Sequence, residues 1–158
     1  LAIGEVPIPP DRIRDPQHFR QPTLNIGRDR SRTPIPWDSS PYAGFSTAEP
    51  WLPLNPDWPT RNVAAQESDP ASMLTLTRRL LTLRRQEPAL SIGAMELLAA
   101  SEGVLAYQRY AGEQRLTIWL NLTSADIGLS WKGTALLSTL SGEPQSGLLR
   151  ADEGLILA

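Results

Sequence analysis

All but two of the fifteen prolines, Pro88 and Pro144, fall at or before Pro70. Proline lacks a backbone donor and pushes its predecessor out of the helical region, so residues 1–69 can hold little regular structure. Yet Phe19, Ile26, Ile35, Trp37, Phe45, Trp51, Leu52, Leu54 and Trp58 are too apolar for a solvated linker. Structureless stretches this long are rare in compact domains and usually functional. The combination predicts a long ordered loop packed on a surface that the rest of this sequence does not supply.

Beyond the prolines the pattern changes twice. Met73, Leu76, Leu80 and Leu83 recur at spacings of three and four, which predicts one apolar helix face. Asp69 is the expected cap and Pro70 suits the first turn, where its missing N–H costs nothing. Arg78, Arg79, Arg84 and Arg85 weight the C-terminal half, where positive charge opposes the macrodipole, and Pro88 ends the helix. Leu116, Ile118 and Leu120 then alternate with Thr117, Trp119 and Asn121, the period of a strand. Val104–Tyr110, Ile127–Trp131, Thr134–Leu140 and Gly154–Leu157 read as further strands, separated by Glu102-Gly103, Gly112-Glu113, Lys132-Gly133 and Ser141-Gly142 turns. About six or seven short strands, roughly ten residues apart, argue for an antiparallel sandwich. The expected parts are 1–69 as loop, 70–88 as helix and 89–158 as sandwich.

Composition removes several functions. The chain is 41% hydrophobic and 20% charged with a net charge of −2, so no polycationic face exists for nucleic acid or anionic lipid. No apolar run approaches the ~20 residues that span a bilayer. With no cysteine there is neither a disulfide nor a thiolate metal site, which suits a reducing, cytoplasmic setting. The single histidine, His18, sits in no activated-nucleophile pattern and reads as a loop residue. Asn121-Leu122-Thr123 fits the N-glycosylation pattern, but inside a predicted strand it reads as chance. The opening LAIGEV has neither an initiator methionine nor a signal-peptide pattern and reads as the continuation of a longer polypeptide.

Within the proline-rich part, GRDRSRTPIPWDSSPYAGFS (residues 27–46) alternates Arg28, Arg30 and Arg32, with Asp29 between the first two. A guanidinium fork binds a carboxylate or two vicinal hydroxyls through paired hydrogen bonds, and Trp37 and Tyr42 offer flat faces for a sugar ring. Spacing alone favours loop-stapling ion pairs over a ligand role.

That stretch, the upstream IPPDRIRDP, then PWLPLNPDW, NVAAQESDPASMLTLTRRLLTLRRQEPAL and the terminal EGLILA, closely resembles the C-terminal third of glycoside hydrolase family 13 enzymes. The α-glucosidase and oligo-1,6-glucosidase branch is the nearest. The resemblance covers essentially the whole chain. It implies that 1–69 is the long loop after strand eight of a (β/α)₈ barrel, 70–88 the last barrel helix, and 89–158 a C-terminal β-sandwich. Barrel active sites lie among the loops that follow the strands, so such a loop touches substrate.

The activity so implied is retaining hydrolysis or transfer of terminal α-glucosyl residues, by two carboxyl groups about 5 Å apart. In the family these carboxylates, and a third that stabilises, follow strands four, five and seven and lie upstream of residue 1. Asp29, Asp38, Glu49 and Asp57 match no catalytic motif, so this chain alone is expected to be inactive, with no catalytic residue, metal or cofactor. Arg28 is implied as a substrate-binding residue at the pocket floor, paired with an aspartate of an early barrel loop; Arg32 is a second substrate-side candidate or a staple through Asp29 or a barrel carboxylate. Arg30 is expected on the solvent side. Where many oligo-1,6-glucosidases read RTPMQW this chain reads RTPIPW, with Ile35 and Pro36, a lean towards α-1,4 preference or transglucosylation. The implied partners are an α-glucoside and the catalytic barrel. The alternative from another class is a non-catalytic accessory module that binds carbohydrate or protein.

Overall fold

The computed structural model describes residues 6–24 and 27–158, and Ile26, counted above among the apolar loop residues, lies outside them. The chain divides into two compact units, Leu1–Thr75 and Leu76–Ala158.

The first unit carries no strand among its described residues, as the prolines require. Its regular elements are two five-residue helices, α1 (Pro16–Arg20) and α2 (Val63–Glu67), with 3₁₀ turns at Pro10–Arg12, Pro22–Leu24, Asp29–Ser31 and Pro41–Gly44. Each helix begins on a side-chain cap: Asp15 accepts from the N–H of Gln17, and Asn62 from that of Ala65. Ordered loop backbone replaces the missing ladders. Val63 N–H donates to the Pro36 carbonyl at 3.0 Å and Ala64 N–H to that of Trp37 at 2.9 Å, tying the buried Pro36 to the start of α2.

Helix α3 (Met73–Gln86) starts later than the sequence suggests. Asp69 and Pro70 form a turn in which Asp69 accepts from Ala71 N–H, and the cap is Ser72, whose Oγ accepts from Thr75 N–H at 3.1 Å. Both residues are good caps; Ser72 wins because its hydroxyl also donates to the Gln66 carbonyl at 2.6 Å. Pro88 ends the helix by opening the short α4 (Pro88–Ser91).

In the second unit seven antiparallel strands form two sheets, one ordered β1-β2-β3-β7-β5 and the other β4-β6. They are β1 (Ala94–Leu97), β2 (Val104–Ala111), β3 (Gln114–Asn121), β4 (Ile127–Leu129), β5 (Ala135–Ser138), β6 (Gly147–Leu149) and β7 (Gly154–Leu157). Gly112, at φ 57°, opens the two-residue turn between β2 and β3, whose register runs from Val104 opposite Asn121 to Ala111 opposite Gln114. The alternation read from the sequence sorts side chains onto two cores. Leu116, Ile118, Leu137 and Ile156 pack with Ala89 and with Leu76, Leu80 and Leu83 of α3. Leu149, Leu155 and Leu157 pack with Val104, Trp119, Leu129 and Trp131 on the opposite side. Strand β7 lies between β3 and β5 and is buried throughout.

Asn121 of the glycosylation-like triplet is buried. Its amide donates to the carbonyls of Ala125 and Arg150, both at 2.8 Å, and its Oδ1 accepts from the N–H and hydroxyl of Thr123. The triplet is an internal staple in the folded chain.

Candidate functional site: an arginine held by a buried carboxylate

Asp15 precedes Pro16 and so starts α1, yet most of its carboxylate is used elsewhere. Its Oδ2 accepts from Arg28 N–H at 2.6 Å and Arg28 Nε at 2.9 Å; its Oδ1 accepts from Arg28 Nη2 at 2.9 Å. Gln17 N–H adds a fourth donor at 3.1 Å. Asp29 returns the grip: its Oδ2 accepts from the N–H groups of Arg14 and Asp15, each at 2.9 Å. Segments 14–17 and 28–29 are therefore interlocked, each holding the other's backbone through a buried aspartate.

The two ends of the ion pair differ in exposure. The Asp15 side chain is 0% exposed and that of Arg28 is 59% exposed. The Arg28 fork, its backbone N–H and that of Gln17 hold the Asp15 carboxyl well below the usual carboxylate range, outweighing burial, and Asp15 in turn raises the guanidinium. A group whose folded pKa is depressed contributes stability that is complete above its unfolded value, about 3.9, and lost as pH falls below it. Thermal melts from pH 7 to pH 2 are therefore expected to show a steeper acid fall below about pH 4 for the native chain than for Asp15→Asn. Parallel acid limbs would remove Asp15 as a source of acid sensitivity.

The other candidates fall in different settings. Arg32 is exposed at the end of the Asp29–Ser31 turn, its backbone N–H reaching the Asp29 carbonyl at 3.1 Å. Stapling through Asp29 falls to backbone amides and not to the Arg32 guanidinium, a correction to one expectation above. Arg30, expected on the solvent side, is half-buried and lines a cavity of about 70 Å³ with Ile8, Ile13, His18, Gly27 and Asp29. The 3₁₀ turn carries it away from Arg28, where strand-like alternation would have set the two side by side. Glu49 pairs with Arg12 at 2.5 Å, and the Arg14 guanidinium lies 4.4 Å over the Trp51 ring.

Trp37 and Tyr42 flank a conformation no sequence rule anticipates. Tyr42, Ala43 and Gly44 are consecutively left-handed, at φ 55°, 58° and 63°. Such backbone costs about 1–2 kcal/mol at each non-glycine residue. It is over-determined here: the carbonyl of the buried Ala43 accepts from the N–H groups of Trp37 (2.8 Å) and Asp38 (3.3 Å). A Cβ on Gly44 would meet the Asp38 carboxylate at 2.6 Å. Asp38 accepts from both the hydroxyl and the N–H of Ser40, which push its carboxyl down.

Asp15 is the residue that sequence reasoning missed; Asp29 was read as a staple, but its partners are the Arg14 and Asp15 amides. The one available signal was Asp15-Pro16, which reads as a local helix start and hides the partner thirteen positions away. Among the described residues no group of three or more His, Asp or Glu side chains is placed to hold a metal ion, and no helix is long and apolar enough to cross a membrane.

Residues 3–93 match the family described as "Alpha amylase, catalytic domain", and the match stops just before β1. A probable alpha-glucosidase of Rhizobium meliloti is 37% identical over 123 residues, 78% of this chain and 22% of that protein. The glucan 1,6-alpha-glucosidase of Streptococcus pneumoniae is 37% identical over 108 residues, 68% of this chain and 20% of that one. Among solved structures, trehalulose synthase MutB of Pseudomonas mesoacidophila MX-45 is similar with a TM-score of 0.73 and 29% identity, over 83% of this chain and 26% of that one. Isomaltulose synthase of Klebsiella sp. LX3 gives 0.73 and 26% over 83% and 25%. The chain thus spans about a quarter or less of each of these proteins. Its fold class is a barrel-end segment of loop and helix followed by an antiparallel sheet domain. Since the family match runs over more than half of its residues, this chain belongs to the alpha-amylase family.

Proposed function

We propose that this chain is the C-terminal part of an α-glucosidase that releases or transfers terminal α-glucosyl residues with retention, and that Arg28 forms the floor of its pocket. Residues 1–69 serve as the loop after the last barrel strand, 70–88 as the last barrel helix and 89–158 as the C-terminal sandwich. The observation that carries the reading is the Asp15–Arg28 pair: one edge of the guanidinium is locked on a buried carboxylate and the rest is presented outward. That free edge suits vicinal hydroxyls of a terminal glucose, and a charged floor admits only a chain end. Arg32, exposed one turn further on, belongs to the same substrate side.

Retention needs a carboxylate nucleophile and a neutral carboxylic acid about 5 Å apart. The remainder of the catalytic domain is assigned both. In this chain Asp15, Asp29 and Asp38 are already committed as acceptors, and the carboxyls of Asp15 and Asp38 are pushed down, the wrong direction for a proton donor near neutral pH. The purified chain is therefore expected to release no product from a chromogenic α-glucoside above the enzyme-free rate, while the complete enzyme turns it over. Turnover by the chain alone at a rate comparable to the complete enzyme would overturn the assignment of the carboxylates; an inactive complete enzyme would remove the α-glucosidase reading itself.

A further inference from the structure

We propose that Asp15 is the positioning residue of Arg28, fixing the guanidinium in the one orientation that leaves its Nη1 edge for substrate. This rests on the reading that Arg28 meets the sugar. Three features of the geometry carry it.

The first is that Asp15 holds Arg28 twice. The same Oδ2 accepts from the Arg28 backbone N–H and from its Nε, so main chain and side chain meet on one oxygen, and the arm cannot swing without breaking the parallel Nε and Nη2 bonds. The second is that Asp15 is itself held: Gln17 N–H fixes Oδ1, and Asp29, next in sequence to Arg28, fixes the Arg14 and Asp15 amides. Position is therefore passed within and between segments 14–17 and 28–29 by six hydrogen bonds, with no long side chain among them except the arginine.

The third is a contrast inside the same chain. Arg150 and Glu153 also form a fork-to-carboxylate pair, but there Nη1 is spent on the Ser141 carbonyl at 2.7 Å, Nη2 also reaches Ser138 Oγ, and the arginine is mostly covered. Every nitrogen of that guanidinium is engaged by the chain itself, the pattern of a strut. In the Arg28 pair, Nε and Nη2 face Asp15 while Nη1 makes no hydrogen bond to a described residue. A solvated surface pair would expose both partners; here the carboxylate is wholly enclosed and the guanidinium is not. Holding a charged donor at a set angle before substrate arrives is how orientation contributes to rate.

The test is a double-mutant cycle in the complete enzyme, read as kcat/KM on a chromogenic α-glucoside with a thermal melt of each variant. Asp15→Asn keeps the shape but turns a donor or a neutral oxygen towards the fork. It is expected to lower kcat/KM by about tenfold or more with Arg28 present, and by less than about threefold in the Arg28→Ala background. A merely structural Asp15 gives the same factor in both backgrounds, and that result, or a silent Asp15→Asn beside a damaging Arg28→Ala, overturns the positioning role alone. A silent Arg28→Ala overturns both the positioning role and the substrate contact beneath it. If Asp15→Asn does not accumulate folded, Asp15→Glu, which keeps the charge but displaces the fork by one methylene, is expected to show the same dependence on Arg28.

Discussion

Arg28→Ala in the complete enzyme is expected to lower kcat/KM for maltose by about a hundredfold, the order lost when charge-assisted hydrogen bonds at the reacting sugar disappear. The substitution removes the presented edge, but Asp15 keeps two backbone donors, from Arg28 and Gln17, so its carboxylate is not left bare. The loss should therefore appear in kinetics more than in folding. Arg28→Lys is expected to recover little, because a point charge cannot grip Asp15 through two parallel bonds and still offer a free edge. Arg20→Ala, exposed at the end of α1, serves as the control and should change kcat/KM by less than about threefold. Steady-state kinetics of the three variants, each with a thermal melt, decide it. If Arg28→Ala keeps near-native kcat/KM, the pocket floor is elsewhere.

The largest stability effect is expected at the opposite end of the chain. Glu153 is buried at the turn before β7 and accepts from Ser138 Oγ at 2.5 Å, from Arg150 N–H at 2.9 Å, and from Arg150 Nη2 at 2.7 Å. Burial pushes its carboxyl up, and the Arg150 and Ser138 donors more than reverse this, so the group stays charged. Through it, β5, the end of β6 and the start of β7 share one carboxylate. Glu153→Ala leaves the Arg150 guanidinium without its counter-charge and is expected to cost roughly 3–5 kcal/mol. Urea unfolding followed by tryptophan fluorescence measures this, since Trp119 and Trp131 pack in the core beside β7. Glu113→Ala, in the exposed turn after β2, should stay within about 0.5 kcal/mol. A Glu153→Ala loss under about 1 kcal/mol would mean that Arg150 finds other acceptors and the network is not a unit.

What the sequence revealed, and what it hid, follows from range. The proline distribution excludes strands from the first unit because each proline acts on its own neighbours, and the alternation at Leu116–Asn121 is a strand because each side chain must choose a face locally. Helix α3 is legible for the same reason, though its expected cap, Asp69, gave way to Ser72 three residues on, whose hydroxyl also reaches the Gln66 carbonyl. Strand β1 was missed because all four of its residues are exposed, so burial imposes no alternation on Ala94–Leu97. Strand β6 is as short as β4 but opens on Gly147 at φ 102°, which reads as a turn residue and leaves only two leucines to signal a strand. At the site the arginine-rich stretch was legible as chemistry, but the carboxylate that holds Arg28 lies thirteen residues earlier, inside a motif that already has a complete local explanation.

The left-handed turn at Tyr42–Gly44 has a consequence for how freely this loop can be varied. A library built across residues 37–45 meets three different walls in adjacent positions. At Gly44 any side chain collides with Asp38; at Ala43 the enclosing loop leaves no volume beyond a methyl group; at Tyr42 the ring faces partly outward and only the backbone angle resists. Diversity introduced at Tyr42 alone keeps the frame that Trp37 and Asp38 build around the Ala43 carbonyl, whereas diversity at its two neighbours dismantles that frame. A loop of this kind offers its engineer one adjustable side chain on a fixed mount, and the mount is set by residues with almost no side chain of their own.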